Sequence, residues 1–262
     1  MTILDTILTT KQQEVDTFRK ETFPTRTIPL RTKLSDRLRS SDTLEVIAEI
    51  KRASPSKGVI HPSLDAVELA KRYEKSGAAA ISVLTDTTYF KGSFDDLKAV
   101  AESVEVPVLC KEFIIDTVQI EKAYAHGASL ILLIVAALEA QTLHKLFTFA
   151  TDLGLEVLVE VHTPEELATA LELGAELIGV NNRNLKTFEV SLETTQTIAE
   201  LLPRDRGIYL ISESGIVSAH DALQASSFGA HGLLVGESLV RSNSVEEALP
   251  KLKVRRHTDD AH

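Results

Sequence analysis

The sequence predicts an α/β fold, a closed (β/α)8 TIM barrel with an N-terminal helical extension. Two observations lead to this prediction. Short apolar runs rich in β-branched residues recur along the chain, which is typical of parallel strands covered by helices on both faces. Segments with the apolar spacing and the end signals of helices lie between these runs. Strands and helices therefore alternate from the first run to the last.

Eight apolar runs, each bounded by turn-forming residues, are the candidate strands. They are Val46 to Ile50, Ala79 to Leu84, Val106 to Cys110, Ser129 to Val135, Glu156 to Val161, Leu177 to Val180, Ile208 to Ile211 and Gly232 to Val235. Eight is the number of strands in a closed (β/α)8 barrel.

A repeated Gly-Ala pair supports the count of eight. The pairs occupy residues 77–78, 127–128, 174–175 and 229–230. They precede the second, fourth, sixth and eighth candidate strands, respectively. Glycine can adopt the left-handed conformation that ends a helix, and a small alanine lets the chain turn tightly into a sheet. A doubly wound sheet is the alternative fold. It is disfavoured because no GxGxxG follows the first strand and no GxxxxGK[ST] occurs.

Two of the intervening helices carry recognisable start signals. Ser63 is the candidate N-cap of a helix that follows the first strand. After the fifth strand, Thr163 is expected to cap a helix with Pro164 at its first position and Glu166 as the glutamate of a capping box.

The chain is predicted to be one domain with an extension and a tail. Residues 1–44 form the helical extension, residues 45–252 the barrel and residues 253–262 a polar tail expected to be frayed. Thr2 can cap a first helix, and a second short helix is expected around Lys33 to Arg39. The apolar stripe of the first helix consists of Ile3, Leu4, Ile7, Leu8, Val15 and Phe18. We expect the extension to pack over one mouth of the barrel.

Composition narrows the class of ligand and the compartment. The chain of 262 residues has 28 Lys and Arg against 38 Asp and Glu, a formal net charge of −10, which excludes a general nucleic-acid binder. A small anionic substrate must therefore meet a local cluster of positive charge. The single cysteine and the lack of a signal-peptide pattern predict a cytoplasmic protein. No membrane partner is expected, because the longest apolar run is far shorter than the ~20 residues that span a bilayer. The oligomeric state stays open, with a monomer as the default.

Polar residues end several strands at the positions where a barrel places its chemistry. Catalytic groups of this fold lie at the C-terminal ends of the strands. The candidates are Glu49 and Lys51, Lys111, Glu160, Asn181 with Arg183, and Glu213 with Ser214. Since side chains alternate along a strand, Glu49 and Lys51 share a face while Arg52 points elsewhere. Any one of these charges could be a rim salt bridge, but their coincidence on five strands favours a site with acid, base and anion contacts.

The loops after the seventh and eighth strands are candidates for a phosphate site. This fold commonly binds phosphate there, with backbone N–H groups that glycine lets approach the anion. Ser214 and Gly215 follow the seventh strand, and Gly236 and Glu237 follow the eighth. Arg183 could add a charge-assisted contact. The alternative is a pair of turns without a ligand.

Other chemistry-bearing residues give weaker signals. The histidines show no metal-ligand spacing, and no metal site is predicted. Cys110 is expected to be a small buried hydrophobe, and Ser214 lacks the GxSxG context of a hydrolase nucleophile. Phe90, Phe94 and Phe113 could clasp an aromatic ligand or pack in the core.

Six motifs together resemble the indole-3-glycerol-phosphate synthase family. They are EIKRASPSKG at 49–58, VLCKEF at 108–113, LVEVH at 158–162, IGVNNRNL at 178–185, ISESGI at 211–216 and LVGESL at 234–239. The resemblance implies synthesis of indole-3-glycerol phosphate from 1-(2-carboxyphenylamino)-1-deoxyribulose 5-phosphate in tryptophan biosynthesis, with loss of carbon dioxide and water. It also implies that the enzyme needs no metal or organic cofactor.

The resemblance assigns roles to individual residues. Lys111 is similar to the family's general acid on the ketone oxygen, Lys51 to the lysine near the substrate carboxylate and Glu160 to the catalytic base. Glu49 and Asn181 match the residues that orient these groups. Further active-site and phosphate-binding positions are matched by Ser54, Arg183, Glu213, Ser214, Gly215 and Gly236. Family members carry serine or glutamate at position 237, so only the backbone N–H of Glu237 is expected to contact phosphate.

Two other functions compete with this one. A phosphoribosylanthranilate isomerase would use a cysteine and an aspartate as its acid and base, whereas this chain offers Lys51 and Lys111 at the strand ends. A catalytically silent barrel that binds a sugar phosphate or a partner is disfavoured by the presence of Lys111 and Glu160. The sequence does not say which lysine acts in which chemical step.

Overall fold

The eight apolar runs form eight parallel strands that close into a barrel. The computed structural model describes residues 2–203 and 206–257. In chain order the strands are β1 (Glu45–Ile50), β2 (Ala53–Ser54), β3 (Gly58–Val59), β4 (Ala80–Leu84), β5 (Val108–Lys111), β6 (Leu130–Ile134), β7 (Glu156–Val161), β8 (Leu177–Asn181), β9 (Tyr209–Glu213) and β10 (Gly232–Val235). The barrel closes where β10 pairs with β1, and the predicted (β/α)8 fold is confirmed.

Two features of the strands differ from the prediction. The strands β2 and β3 form a small antiparallel hairpin in the loop after β1, outside the barrel. The strands β5, β8 and β9 extend one or two residues beyond their apolar runs, so that Lys111, Asn181 and Glu213 are their last residues. The backbone ladder continues through these polar residues because the ladder depends on paired main-chain groups rather than on apolar side chains.

Helices alternate with the barrel strands. They are α1 (Ile3–Phe18), α2 (Leu34–Ser40), α3 (Ala66–Lys75), α4 (Phe94–Ser103), α5 (Thr117–Ala125), α6 (Ala140–Asp152), α7 (Pro164–Glu172), α8 (Glu193–Ala199), α9 (Ala219–Ser227), α10 (Glu237–Val240) and α11 (Val245–Leu252). A short 3-10 turn, Val135–Ala137, follows β6. None of the helices in the described ranges is long and apolar enough to cross a membrane.

The repeated Gly-Ala pairs have the predicted structural role. Gly77, Gly127, Gly174 and Gly229 all adopt left-handed backbone, with φ of 92°, 92°, 81° and 91°. The alanine after each is buried where the chain enters the next strand. Each pair therefore ends a helix and directs the chain into the barrel.

The helix start signals are confirmed in part. Thr163 caps α7 through the N–H of Glu166, and Pro164 is at its first turn. The prediction of a capping box is wrong, because the Glu166 side chain accepts from the N–H of His162 at 2.7 Å and not from the N–H of Thr163. The N-cap at Ser63 is also wrong, since α3 begins two residues later and Asp65 caps it through the N–H of Glu68.

The N-terminal extension covers both ends of the barrel rather than one. At the N-terminal ends of the strands, Leu34 and Leu38 of α2 are fully buried against the innermost side chains of the barrel, such as Ile47 and Leu109. The Glu156 carboxylate at the start of β7 accepts from the N–H groups of Leu34 and Ser35 at 2.6 and 3.1 Å. We call this end, closed by Leu34 and Leu38, the apolar mouth. Helix α1, capped by Thr2 as predicted, lies at the opposite end.

The polar tail is docked on the barrel through residue 257. The Lys253 ammonium contacts the Glu45 carboxylate at 2.8 Å, and Arg255 forms a β-bridge with Thr43. The Arg256 guanidinium donates to the carbonyls of Leu38 and Ser41 at 2.8 and 3.0 Å. The expectation of fraying is therefore wrong for residues 253–257, and residues 258–262 lie outside the described part of the chain.

Candidate active site

A cavity of ≈ 990 Å³ opens at the C-terminal ends of the strands. The twelve residues predicted for the site all line it: Glu49, Lys51, Ser54, Lys111, Glu160, Asn181, Arg183, Glu213, Ser214, Gly215, Gly236 and Glu237. We call this end the charged mouth, after its ionisable residues Glu49, Lys51, Lys111, Glu160 and Glu213. The geometry of these residues decides what chemistry the cavity can perform.

Lys111 of β5 lies between two carboxylates, one from β9 across the barrel and one from β7, two strands away. Its Nζ is 2.6 Å from Glu213 Oε2 and 3.2 Å from Glu160 Oε2. Burial favours the neutral amine, but the carboxylates of Glu213, Glu160 and Glu49 outweigh it and raise the pKa of Lys111. The side chain is therefore a charged ammonium near neutral pH, and it lines the cavity while donating to both carboxylates.

Glu160 is held as a carboxylate by its neighbours. Asn181 Nδ2 donates to its Oε1 at 3.1 Å, and His162 Nε2 lies 3.4 Å from the same oxygen. Burial opposes ionisation, but the charges of Lys111 and His162 and the Asn181 hydrogen bond together lower the pKa of Glu160. An ionised carboxylate in a fixed orientation can act as a base.

Glu213 has the opposite electrostatic character. Burial, together with repulsion from Glu160 and Glu49, raises its pKa to about 7 against the attraction of Lys111. Its Oε1 is buried with no hydrogen-bond partner in the described residues, and it packs against Gly179 of β8. Any side chain larger than hydrogen at Gly179 would displace this carboxylate.

A second lysine–carboxylate pair lies beside the first. Lys51 Nζ is 2.6 Å from Glu49 Oε1, so the two residues share the face predicted from alternation along β1. Arg52 points away as predicted, and its guanidinium binds the Asp96 carboxylate at 2.6 and 3.0 Å. Gly236 packs directly on this pair, since a Cβ there would lie 2.6 Å from Glu49 Oε1.

The loops after β9 and β10 present backbone donors to the cavity. Ser214 and Gly215 have φ of 65° and 87°, a left-handed turn that a serine adopts only at some energetic cost. Within the described ranges, the N–H groups of Gly215, Gly236 and Glu237 donate to no other group of the protein. The Glu237 carboxylate is turned toward Arg241, 3.2 Å from its Nε. These loops can therefore receive an anion through main-chain N–H groups.

The remaining predicted residues frame the entrance. Arg183 Nη1 donates to the carbonyl of Phe188 at 3.2 Å, which fixes the guanidinium in the loop after β8. Ser54, in the hairpin after β1, is half-buried, and its hydroxyl lies 3.5 Å from that of Ser56. Ser214 Oγ donates to Asn181 Oδ1 at 3.0 Å, so the serine side chain also fixes the amide that orients Glu160.

Two of the three phenylalanines line the cavity. Phe90 and Phe113 lie with ring centroids 5.9 Å apart in its wall. Phe94 instead packs in the core against Phe18 and His126, at centroid distances of 5.9 and 5.5 Å. The cavity thus has an apolar aromatic side on the loops after β4 and β5, away from the loops after β9 and β10.

The weaker candidates take structural places. Cys110 is fully buried, and burial raises the pKa of its thiol, so the thiol is unreactive as expected. His231 is partly buried and packs edge-to-face against Tyr209, and desolvation with the nearby Arg256 lowers its pKa to about 4. Across the described residues, no group of three or more His, Cys, Asp and Glu side chains is arranged to hold a metal ion.

Sequence reasoning missed two sets of residues around the cavity. His162, one of the histidines that show no metal-ligand spacing, contacts both Glu160 and Glu166. Lys11 of α1 is fully buried and contacts the carboxylates of Asp86 and Glu112 at 2.7 and 3.0 Å. The signal for Lys11 was available, because it occupies the position between Ile7 and Val15 on the apolar stripe of α1, where a charge is out of place.

Comparison with known proteins places the chain in a family. Residues 4–252 match the family model described as indole-3-glycerol phosphate synthase. An indole-3-glycerol phosphate synthase of Oceanobacillus iheyensis is 49% identical over 256 residues, 97% of each chain. One of Exiguobacterium sibiricum is 50% identical over 258 residues, 98% of this chain and 99% of the relative. One of Bacillus cereus is 46% identical over 97% of this chain and 98% of the relative.

Two solved structures of low sequence identity share the fold of this chain. A thiamine phosphate pyrophosphorylase from Pyrococcus furiosus superposes with a TM-score of 0.61 at 17% identity, over 84% of this chain and 96% of that one. A 3-hexulose-6-phosphate synthase from Salmonella typhimurium gives 0.64 at 14% identity, over 80% and 96%. At such low identity these structures support the barrel and say nothing about the reaction.

Proposed function

This chain belongs to the indole-3-glycerol phosphate synthase family, and from that membership and the geometry of the charged mouth we propose how its residues perform the reaction. The enzyme is a carbon–carbon lyase of tryptophan biosynthesis. It converts 1-(2-carboxyphenylamino)-1-deoxyribulose 5-phosphate to indole-3-glycerol phosphate, with loss of carbon dioxide and water. The observation that carries the residue assignments is the position of Lys111 between Glu160 and Glu213, beside the Lys51–Glu49 pair.

Ring closure requires an acid at the ketone oxygen. The aromatic carbon that bears the carboxylate attacks the ketone carbon, and the carbonyl oxygen becomes an alkoxide. Lys111 donates a proton to that oxygen. Its raised pKa does not prevent this step, because the developing alkoxide is itself a strong base and the ammonium stabilises it while it forms.

Decarboxylation follows at the carbon that has just formed the bond. The electrons of the carbon–carboxylate bond return to the ring, restore its aromaticity and release carbon dioxide. We assign to Lys51 the role of holding the carboxylate before this step, and the Glu49 carboxylate at 2.6 Å supports this by fixing the ammonium. A single salt bridge orients the group and leaves it free to depart as a neutral gas.

Dehydration completes the indole. Glu160 takes the anilino proton, the hydroxyl departs as water after protonation by a lysine, and a proton shift within the five-membered ring gives the product. Lys51 can supply that proton, and so can Lys111 once solvent has returned the proton that Lys111 gave up in ring closure, because both side chains face the cavity. Asn181 holds Glu160 in its orientation through the 3.1 Å hydrogen bond.

The two ends of the substrate fit opposite sides of the cavity. We assign the phosphate to the N–H groups of Gly215, Gly236 and Glu237 with Ser214, and the guanidinium of Arg183 adds positive charge near the entrance. The benzene ring fits the wall formed by Phe90 and Phe113. Ser54 closes the cavity from the hairpin after β1.

The net charge of −10 favours a small anionic substrate over a nucleic-acid partner. The single cysteine supports a reducing compartment, the cytoplasm. Every residue named above comes from one chain, so a monomer is sufficient. The protein's own side chains supply the acid, the base and the anion contacts that the steps require.

The assay of this function mixes the purified protein with the carboxyphenylamino substrate and follows the rise of indole fluorescence. The chain has no tryptophan, so the indole signal is free of protein background in that spectral region. We expect continuous product formation that stops when the substrate is consumed. Binding of substrate without any indole would instead indicate a catalytically silent barrel.

A further inference from the structure

A buried lysine joins the N-terminal extension to the barrel near the cavity. Lys11 is fully buried in α1, 2.7 Å from Asp86 Oδ2 and 3.0 Å from Glu112 Oε1, with Glu14 of its own helix at 2.8 Å. Asp86 and Glu112 are buried as well. They follow β4 and β5 in the chain, and Glu112 also lines the cavity.

The same two carboxylates hold the loops that carry the aromatic wall. Asp86 Oδ1 accepts from the N–H groups of Tyr89 and Phe90 at 2.6 and 3.0 Å. Glu112 Oε1, the oxygen that faces Lys11, also accepts from the N–H of Phe113 at 2.8 Å. The carboxylates therefore stand between the Lys11 ammonium and the backbones of Phe90 and Phe113.

Helix α1 adds its own side chains to the cavity. Leu4 and Ile7 lie two turns and one turn before Lys11, respectively, on the same face and line the cavity. One ammonium thus connects three parts of the apolar side: the helix that covers it and the two loops that supply its phenylalanines.

We propose that Lys11 is a positioning residue that fixes the aromatic side of the cavity, and so determines affinity for the benzene ring of the substrate. This inference rests on the function proposed above. A buried ion pair is a poor source of stability, because desolvation offsets most of the attraction, and an apolar residue would suit this position on the stripe. A structural role alone does not require a lysine here.

The test compares Lys11→Met with the wild-type enzyme in steady-state kinetics. Methionine fills similar volume without the charge, so the Asp86 and Glu112 carboxylates lose their common partner and the two loops lose their fixed geometry. We expect KM to rise by about tenfold or more, as for loss of a charged hydrogen bond, with kcat changed by less than about threefold. The inhibition constant of inorganic phosphate, which probes only the other end of the cavity, should stay within about twofold.

A matched control is Arg19→Met at the C-terminal end of α1. Arg19 also connects this helix to the barrel, through Asp116 at 2.6 Å, but its side chain is 53% exposed. Asp116 lies at the far end of the loop after β5, where it caps α5 and does not accept from the backbone of Phe90 or Phe113. Exposed ion pairs contribute about 0–1 kcal/mol, so this change should leave KM and kcat as in the wild type. A KM increase in both variants would show that KM responds to the loss of any contact that attaches α1 to the barrel. That result would overturn the specific role of Lys11.

A second variant tests the charge pairing and covers poor folding of the first. Glu112→Gln in the Lys11→Met background removes one unpaired charge while its amide oxygen can still accept from Phe113. KM should therefore fall about threefold from that of Lys11→Met but stay above that of the wild type, because Asp86 still lacks the ammonium. If Lys11→Met does not fold, the double variant is compared with wild type, where an unchanged KM contradicts the proposal. A KM increase matched by an equal loss of phosphate binding also contradicts it. Absence of turnover in the wild-type enzyme refutes the proposed function instead.

Discussion

The two mouths of this barrel are lined by side chains of opposite character, apolar at one mouth and ionisable at the other. At the apolar mouth, Leu34 and Leu38 of α2 fill the space between the strand starts and leave no exposed surface. At the charged mouth, a cavity of ≈ 990 Å³ contains buried carboxylates and two lysines. Both ends belong to the same eight strands.

The difference shows where the fold is stabilised and where it is strained. Burial of apolar side chains contributes to stability, whereas buried like charges such as Glu160 and Glu213 oppose it. The raised pKa of Glu213 and the left-handed Ser214 are both found at the charged mouth. Substitutions there should change catalysis, and substitutions at the apolar mouth should change stability.

The largest effect is expected from Lys111→Ala. Removal of the group that we propose as the acid should lower kcat by about 10³-fold or more, while substrate still binds through its phosphate and its ring. Steady-state assays with equilibrium binding of the product check both parts. Lys98→Ala, at an exposed position on α4, is the control. Near-normal turnover in Lys111→Ala would refute the assignment.

At the apolar mouth, Leu38→Ala should destabilise the protein by about 2–5 kcal/mol, since it leaves a cavity under the barrel. Chemical denaturation measures this change, and kcat and KM at a temperature where the variant is folded should equal those of the wild type. The exposed Leu223 of α9 gives the control, with Leu223→Ala expected within about 0.5 kcal/mol. A fall in kcat for folded Leu38→Ala would show that the two mouths are coupled.

The Glu213→Gln variant should reveal the electrostatic cost of the charged mouth through pH. The native pKa of Glu213 is raised to about 7, so the native state retains a proton that the unfolded chain releases near pH 4.5. The contribution of Glu213 to the free energy of unfolding of the wild type is fully present below pH 4.5 and is lost as the pH rises toward 7. The glutamine variant lacks this loss, so its stability relative to wild type should increase between pH 5 and pH 8, by on the order of 1–3 kcal/mol. A pH-independent difference in denaturation midpoints would contradict the raised pKa.

The smallest effect is expected at the phosphate loops. Ser214→Ala should raise KM and the inhibition constant of inorganic phosphate together, by about tenfold, as for one charge-assisted hydrogen bond. Ser227→Ala on the exposed face of α9 is the control. An unchanged KM would argue against the phosphate site. A loss confined to kcat would assign Ser214 to Asn181, to which it donates at 3.0 Å.

The strand ends were predictable because alternation along a strand and the direction of parallel strands fix where side chains go. Glu49 and Lys51 meet as predicted, and the left-handed glycines of the Gly-Ala pairs end the helices as predicted. Helix starts were less certain, since Ser63 and Asp65 both precede the same apolar pattern and only tertiary packing selects Asp65.

Contacts between distant parts of the chain could not be predicted from the sequence. The tail docks because Arg256 finds carbonyls of residues 38 and 41, which no local pattern encodes. For the same reason the partners of Lys11 and the separation of α1 and α2 onto opposite mouths could not be foreseen. Sequence fixes which side of an element is apolar, and the fold decides what covers it.

The most direct test of catalysis at the charged mouth uses substrate carrying ¹³C in its carboxylate. Labelled carbon dioxide and indole product are measured in the same reaction with the wild-type enzyme and with Lys111→Ala. We predict one labelled carbon dioxide for each indole from the wild type, and neither from the variant, because ring closure must precede decarboxylation. Carbon dioxide released by Lys111→Ala without indole, or indole formed at the wild-type rate, would contradict the central role of Lys111.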